Sequence, residues 1–409
     1  MTSPALPSRP QITAWRNAVF VTFGLSGLAI ATWLSRVPRV RDELEVSTTV
    51  IGIVLFGVAA GSIVGLSLAS HIIARFGATR TLLLALGIGV FGLPIAAVGV
   101  GVDSVWLTFA GLALFGAGNG CCDVAMNVSG AANERMLGRA VMPIFHAMFS
   151  VGTVVGTAIG AAAEALDIPL LVHTGVMSVL ILASLLVAVR FFQSELADIE
   201  PEEPGTESAH PGIRSRLSAW TEPRTLMIGV IVLGMAFAEG SANDWLALAM
   251  VDGHGLANDQ AALVLSLFLL SMTVGRLAGV KLLDRFGRVP VLRASAVAAV
   301  LGLGLVIFVP DPAVAIAATV LWGLGAALGF PVGMSAAADD PRKAAGRVSV
   351  VSTIGYLAFL AGPPLIGFLG DHVGLLLGLI PVLVLIALAG IASPAAREPQ
   401  PAAQERSAA

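Results

Sequence analysis

Charge is scarce in this chain. Asp, Glu, Lys and Arg make up 12% of its 409 residues, against about 25% in soluble globular proteins. That deficit excludes the two or three soluble domains that length alone would suggest. Cysteine is nearly absent: Cys121 and Cys122 are the two, adjacent within an apolar run. Neighbouring cysteines rarely bridge, so both read as small packing residues rather than a redox or disulfide framework. No His, Cys and carboxylate cluster has metal-ligand spacing, and no glycine-rich phosphate loop follows a strand. His146 with Asp123 lacks any accompanying nucleophile or oxyanion arrangement. A resident metal, a cofactor, ATP-driven transport by this chain alone and enzymatic chemistry are therefore not expected. Ten-residue alternating strands are missing as well, which argues against a β-barrel.

What is present is apolar. Hydrophobic residues make up 56% of the chain and the mean hydropathy is +0.90. They fall in runs of about 20 residues, the length a helix needs to cross a bilayer core of roughly 30 Å. Twelve such spans are predicted: 15–35, 48–70, 80–100, 104–130, 140–163, 168–192, 225–250, 260–281, 290–309, 312–337, 346–369 and 373–394. Breaker residues separate them at Pro38, Gly101–Asp103, Asp167–Pro169, Pro310–Pro312 and Gly370–Gly374. The predicted fold class is an all-α polytopic membrane protein of two pseudo-symmetric six-helix bundles, 1–192 and 225–394. An acidic, Pro-bearing segment, 193–224, reads as a cytoplasmic linker, and 395–409 as a polar cytoplasmic tail. The first apolar run has no small-residue cleavage site and is expected to be retained as a helix.

Basic residues set the orientation. With both termini inside, cytoplasmic segments hold most of the arginines, including Arg75, Arg139, Arg285, Arg288 and Arg347, and both lysines, Lys281 and Lys343. Outer segments hold Arg36, Arg39 and Arg41, beside the acids Asp103, Asp167, Asp252, Asp259, Asp311 and Asp371. A multi-pass protein of the cytoplasmic membrane is the expectation.

The chain also repeats itself. Gly275–Arg293 reads GRLAGVKLLDRFGRVPVLR, and a degraded copy, GLSLASHIIARFGATR, stands 210 residues earlier at Gly65–Arg80. Arg139 and Arg347 each open the fifth helix of a half, followed by the glycine series Gly152, Gly156, Gly160 and Gly355, Gly362, Gly367. Small residues at such spacing let helices pack closely. Two parallel six-helix repeats around a long central loop describe bundles enclosing a midplane site.

Asp284-Arg285-Phe286-Gly287-Arg288 resembles motif A of the major facilitator superfamily, which lies between helices 2 and 3 or 8 and 9. The resemblance covers the whole chain: span count, central loop, repeat, and Gly362-Pro363-Pro364 in span 11. Shorter stretches resemble the YbjJ-type branch and, more distantly, fucose permease-like members. They are Trp33–Pro38, Asp123–Asn127, Phe145–Ser150 and Glu239–Trp245. The resemblance implies a transporter in which helices 1, 4, 7 and 10 line a central cavity. It also implies that Asp284 caps the start of span 11 near Arg347 when the cytoplasmic side is closed, since a carboxylate favours the positive end of a helix dipole. The implied gate comprises Asp284, Arg285, Gly287 and Arg288, with Arg75, Gly77 and Arg347, and Arg276 two turns before Asp284. In the first copy Ala74 and Ala78 replace the acid and second arginine, so the gate is expected to be asymmetric.

An ionisable residue at midplane costs at least about 2.5–3.5 kcal/mol, so each needs a partner, a wet cavity or a function. Asn119, Asp123 and Asn127 fall at i, i+4 and i+8, on one face of span 4. Asp123 either couples a proton or pairs with Arg135 or Arg139. In span 7, Glu239 and Asn243 share a face; Asp244 points elsewhere, toward the outer surface, and either joins the cavity or pairs with a base such as Arg36. Glu239 is the second proton-coupling candidate. His146 either contacts substrate or is a satisfied core histidine, and Arg36 either meets an anionic group or snorkels. Trp33 and Trp245 read as interface anchors, whereas Trp322 and Tyr356 are candidates to stack on substrate. The expected partners are a small-molecule substrate, protons and membrane lipid, with no nucleic acid, and the chain is expected to act as a monomer. The function read from the sequence is proton-coupled secondary active transport; the alternatives are a drug or metabolite exporter of the same fold and a non-transporting sensor.

Overall fold

The computed structural model describes residues 7–138, 141–193, 219–340 and 343–398. Among them, twelve helices are long and apolar enough to cross a membrane. They are α1 Arg9–Leu34, α2 Thr48–Phe76, α3 Ala78–Gly101, α4 Val105–Leu137, α5 Met142–Ala165 and α6 Leu170–Ala188. The second six begin with α7 Pro223–His254, α8 Asn258–Phe286 and α9 Arg288–Phe308. α10 runs Pro312–Ala326 and resumes as Gly329–Ala337; α11 is Ala344–Val373; α12 is Leu375–Gly378 and Ile380–Ala392. The breaks in α10 and α12 have a cause in the sequence. Pro331 and Pro381 follow each break, and a proline ring clashes with the carbonyl four residues before it and offers no N–H.

Several helices run further than their apolar cores, which carry polar turns out of the membrane: α2 reaches Phe76 and α8 reaches Phe286. Predicted linker residues 194–218 and tail residues 399–409 lie outside the described residues, as does Arg139. The sequence reading missed a short helix, Val37–Leu44, directly after α1.

The packing repeats between the halves. In the first half α3 packs on α4, α2 on α4 and α1 on α5; in the second, α9 packs on α10, α8 on α10 and α7 on α11. The halves meet along two related seams, α5 with α8 and α2 with α11. Close approach needs glycine: a Cβ on Gly152 of α5 would lie 2.1 Å from the Gly24 carbonyl oxygen of α1. The two motif-A hairpins share one backbone turn, with φ +79° at Gly77 and +74° at Gly287. That left-handed conformation favours glycine. Arg75 and Arg285 lie over the rings of Phe76 and Phe286, 5.7 and 5.3 Å from the centroids. Outward-facing side chains such as Leu180, Leu277 and Ile391 are exposed and apolar, as a surface solvated by hydrocarbon requires.

One face of the bundle, here the basic face, carries Arg9, Arg75, Arg224, Arg285, Lys343 and Arg397 at helix ends and turns. The opposite face is the far face. Its three arginines, which run against the charge bias, are all committed to acids. Arg36 Nε lies 2.7 Å from Glu164, Arg39 Nη1 lies 2.8 Å from Asp167, and Arg41 pairs with Asp252.

Candidate translocation site

Polar side chains gather between the halves at mid-depth. Glu239 stands sixteen residues after the start of α7 and fifteen before its end. Both of its carboxylate oxygens accept from Arg276 Nη2 of α8, each at 2.9 Å. The electrostatic field of Arg276 reaches His146 of α5, across the α5–α8 seam. The His146 ring meets Phe23 of α1 edge-on, with centroids 5.2 Å apart.

The α4 stripe lies on one face, as its spacing requires, but its members are occupied differently. The Asn119 Oδ1 accepts from Ser26 of α1 at 2.9 Å. Asn127 Nδ2 donates to the Asp123 carbonyl oxygen at 2.8 Å and to its Oδ1 at 3.3 Å. Asp123 has no basic partner among the described residues, and its charge reaches Tyr356 of α11 in the other half.

Toward the far face, a cavity of about 290 Å³ opens between α1, α2, α4, α7 and α11. Its α7 wall is Gly240, Asn243 and Asp244, an i, i+3, i+4 stripe on one helix face. Asn243 therefore faces this cavity with Asp244, while Glu239 turns to Arg276. Tyr356, Phe359 and Pro363 of α11 and Trp33 of α1 complete the polar and aromatic lining. Much of the remaining wall is aliphatic, from Ile30, Leu34, Leu55, Val58 and Leu360.

Several sequence expectations need correction. Arg36 is completely buried against Glu164 and donates to the Ile168 carbonyl oxygen at 2.7 Å. It ties the short helix Val37–Leu44 to the end of α5 and does not line the cavity beside Asp244. Trp322 is also fully buried, edge-on to Phe268 at 5.3 Å, as part of the second half's core. Arg276 belongs to the interior through Glu239 rather than to the hairpin network. Trp33 is a cavity wall rather than an interface anchor.

On the basic face, Arg347 pairs with Glu222 just before α7, not with Asp284, which is exposed. The neighbouring guanidinium holds the Glu222 carboxyl below the usual range. Arg288 lies 2.7 Å from Asp339, which also pairs with Arg224 at 2.7 Å. The acids Glu164, Glu222, Asp339 and Asp371 were not read as site residues. Asp339 stands two residues beyond the end of α10, on a face rich in arginine, a signal that could have marked it.

The Major Facilitator Superfamily profile matches residues 17–248 and 228–409. The chain belongs to that superfamily, and is a transporter-family protein rather than an enzyme. It is 31% identical over 394 residues to the uncharacterised transporter y4wD of Sinorhizobium fredii, covering 95% of this chain and 100% of that one. An uncharacterised MFS-type transporter of Yersinia pestis is 29% identical over 352 residues, 86% of this chain and 88% of the relative. Among solved structures, the nucleoside transporter NupG superposes with a TM-score of 0.72 at 14% identity, covering 94% of this chain and 98% of NupG. A variant of the Escherichia coli fucose:proton symporter FucP gives 0.61 at 15% identity, covering 94% and 98%. At those identities the likeness speaks for the fold.

Proposed function

We propose that the chain moves a small solute across the cytoplasmic membrane by alternating access coupled to protons, and that its basic face is cytoplasmic. The observation that carries this reading is the distribution of links between the halves. Arg41 with Asp252, Asn258 with Asp42, Thr48 and Thr49 with Asp371 and Gly367, and Ser266 with Thr157 join the halves, all in the far-side part of the molecule. On the basic face, the pairs of Arg224 and Arg288 with Asp339 and of Arg347 with Glu222 stay within one half. This is the pattern of a bundle pair closed at the far side and free to part at the basic one. Orientation follows from the arginines, which accumulate on the cytoplasmic side of membrane proteins.

Coupling is assigned to Asp123 and Glu239. A carboxylate in the membrane interior binds a proton readily when its compensating charge is weak or can be displaced. Asp123 has only an amide partner. Among the described residues Glu239 pairs with Arg276 alone, across α7 and α8 near the seam with α5, and that pairing can be altered when the halves move. The test is flux into proteoliposomes under an imposed pH gradient, using solutes first selected by thermal stabilisation of the purified protein. Gradient-driven uptake is expected in the native chain, with at least about a ten-fold loss in Asp123→Asn and in Glu239→Gln. Undiminished uptake in both variants contradicts the assignment, and a stabilising solute that never crosses makes the protein a sensor.

A further inference from the structure

The 290 Å³ cavity contains polar atoms that the protein leaves unanswered. Trp33 is 1% exposed, and its indole Nε1 has no hydrogen-bond partner. The Asn243 Oδ1 is buried and likewise unpartnered. Asp244 has no hydrogen bond or ion pair to any described residue. All three residues line the same space, as does Tyr356 of α11. Nearly every buried polar group in a native protein finds a partner, so two such atoms beside the unpaired, half-buried Asp244 in one cavity mark a place built for something else to fill.

The chemistry of that occupant follows from what is missing. Asp244 and the Asn243 carbonyl are adjacent acceptors. Arginines of the far face and interior are already committed: Arg36 to Glu164, Arg41 to Asp252 and Arg276 to Glu239. A proton on Asp244 would remove the charge and supply a single O–H donor, which the Asn243 oxygen could take, leaving the carboxyl's own second oxygen without one. An ammonium group supplies three donors and a positive charge, and so answers both at once. The indole N–H needs an acceptor on the same occupant. Elsewhere the wall is mostly aliphatic and aromatic, including Phe115, Phe359 and Leu360, and the hydroxyl of Ser62 is committed to the Gly116 carbonyl oxygen, which selects an apolar body. The volume lies at the small end of ligand pockets, about 300–1,000 Å³.

We propose that this cavity binds a small organic ammonium ion with an apolar body, its cationic head on Asp244 and Asn243. The inference deepens the transporter reading by naming a substrate class, but binding can be measured without transport. The experiment uses the purified full-length chain and isothermal titration calorimetry with three probes of similar size. These are 2-phenylethylammonium, its neutral counterpart 2-phenylethanol, and the anion 3-phenylpropanoate.

The native protein is expected to bind the ammonium at least about ten-fold more tightly than the alcohol, as a charge-assisted hydrogen bond allows, and to bind the anion most weakly. Asp244→Asn should bring the ammonium and alcohol to within about two-fold of each other. Retained alcohol binding then shows that the variant is folded. Asp103→Asn, on an exposed turn outside the cavity wall, should leave the preference intact. Equal binding of ammonium and alcohol by the native chain overturns the proposal. So does a preference that survives Asp244→Asn, or no binding of any probe up to about 10 mM. If the ammonium binds with this signature but does not cross proteoliposomes, the site stands and the transport reading falls.

Discussion

The two faces of this protein use charged residues in opposite ways. On the far face the charges join the halves. Arg41 reaches from the short helix after α1 to Asp252 of α7, and Asn258 donates to Asp42 at 3.1 Å. Asp371, near the end of α11, accepts from the Thr48 and Thr49 backbone N–H groups at 2.8 and 3.0 Å. It thus caps the start of α2 in the other half, where a carboxylate meets the positive end of the helix dipole. Glycine lets the helices come that close: a Cβ on Gly52 would lie 2.5 Å from the Pro363 carbonyl oxygen, and one on Gly367 2.5 Å from that of Thr48. On the basic face, Arg224, Arg288 and Arg347 all find acids in their own half. One face is latched and the other is braced. The motif-A carboxylate, Asp284, is not engaged with the start of α11, while Asp371 supplies the corresponding interaction at the other end of the α2–α11 seam.

That contrast can be broken most forcefully at Asp371. Asp371→Ala removes charge-assisted bonds worth about 2 kcal/mol, and should shift the closed-to-open ratio of the far face by roughly thirty-fold. A reporter cysteine, Asn243→Cys, in a background with Cys121→Ala and Cys122→Ala, should become reactive to an impermeant thiol reagent from the far side. Unchanged reactivity would remove Asp371 from the latch.

A smaller effect of opposite sense is expected at Asp284. In this state it secures nothing between the halves, so Asp284→Asn should leave thermal stability unchanged. By losing a helix-dipole interaction of about 0.3–1 kcal/mol, it should lower the population closed on the basic side by up to about five-fold. The same cysteine assay reads this, and an unaltered population would show that the hairpin acid does not gate.

The smallest effect belongs to the brace. Because Arg347 holds the Glu222 carboxyl below its usual range, the pair stabilises the fold above the ordinary glutamate value of about 4.3. That contribution disappears as pH falls through the depressed folded value. Glu222→Gln should therefore lower the melting temperature at pH 7 by a few degrees at most and flatten its decline below about pH 4. An identical acid profile in the variant would deny the pair any part in stability.

Much of this architecture was legible in the sequence. Apolar run length located twelve spans, because hydrocarbon imposes a minimum helix length. Gly77 and Gly287 marked equivalent turns because both need positive φ. The α4 stripe Asn119, Asp123, Asn127 shares a face because helical spacing demands it. Partners were less legible, since they depend on which helices become neighbours. Nothing in the spacing of Arg36 shows that Glu164 will meet it 128 residues later. Reading Asp244 as turned away from Asn243 failed for a related reason: a cavity spanning the Gly240–Asn243–Asp244 stripe accepts both. The short helix Val37–Leu44 escaped because its polar sequence carries no span signal, although Pro38 at its start suits a first helical turn.

The account rests on two faces that alternate. Pulsed electron spin resonance on two spin-label pairs measures this directly: Arg75→Cys with Arg285→Cys on the basic face, and Glu43→Cys with Asp259→Cys on the far face. Without substrate, the far-face pair should give the narrow distribution of a closed seam and the basic-face pair the distribution of parted halves. Lowering pH or adding a transported solute should lengthen the first distance and shorten the second in the same population. Two distances that stay fixed under every condition, or that lengthen together, would contradict alternating access by this chain.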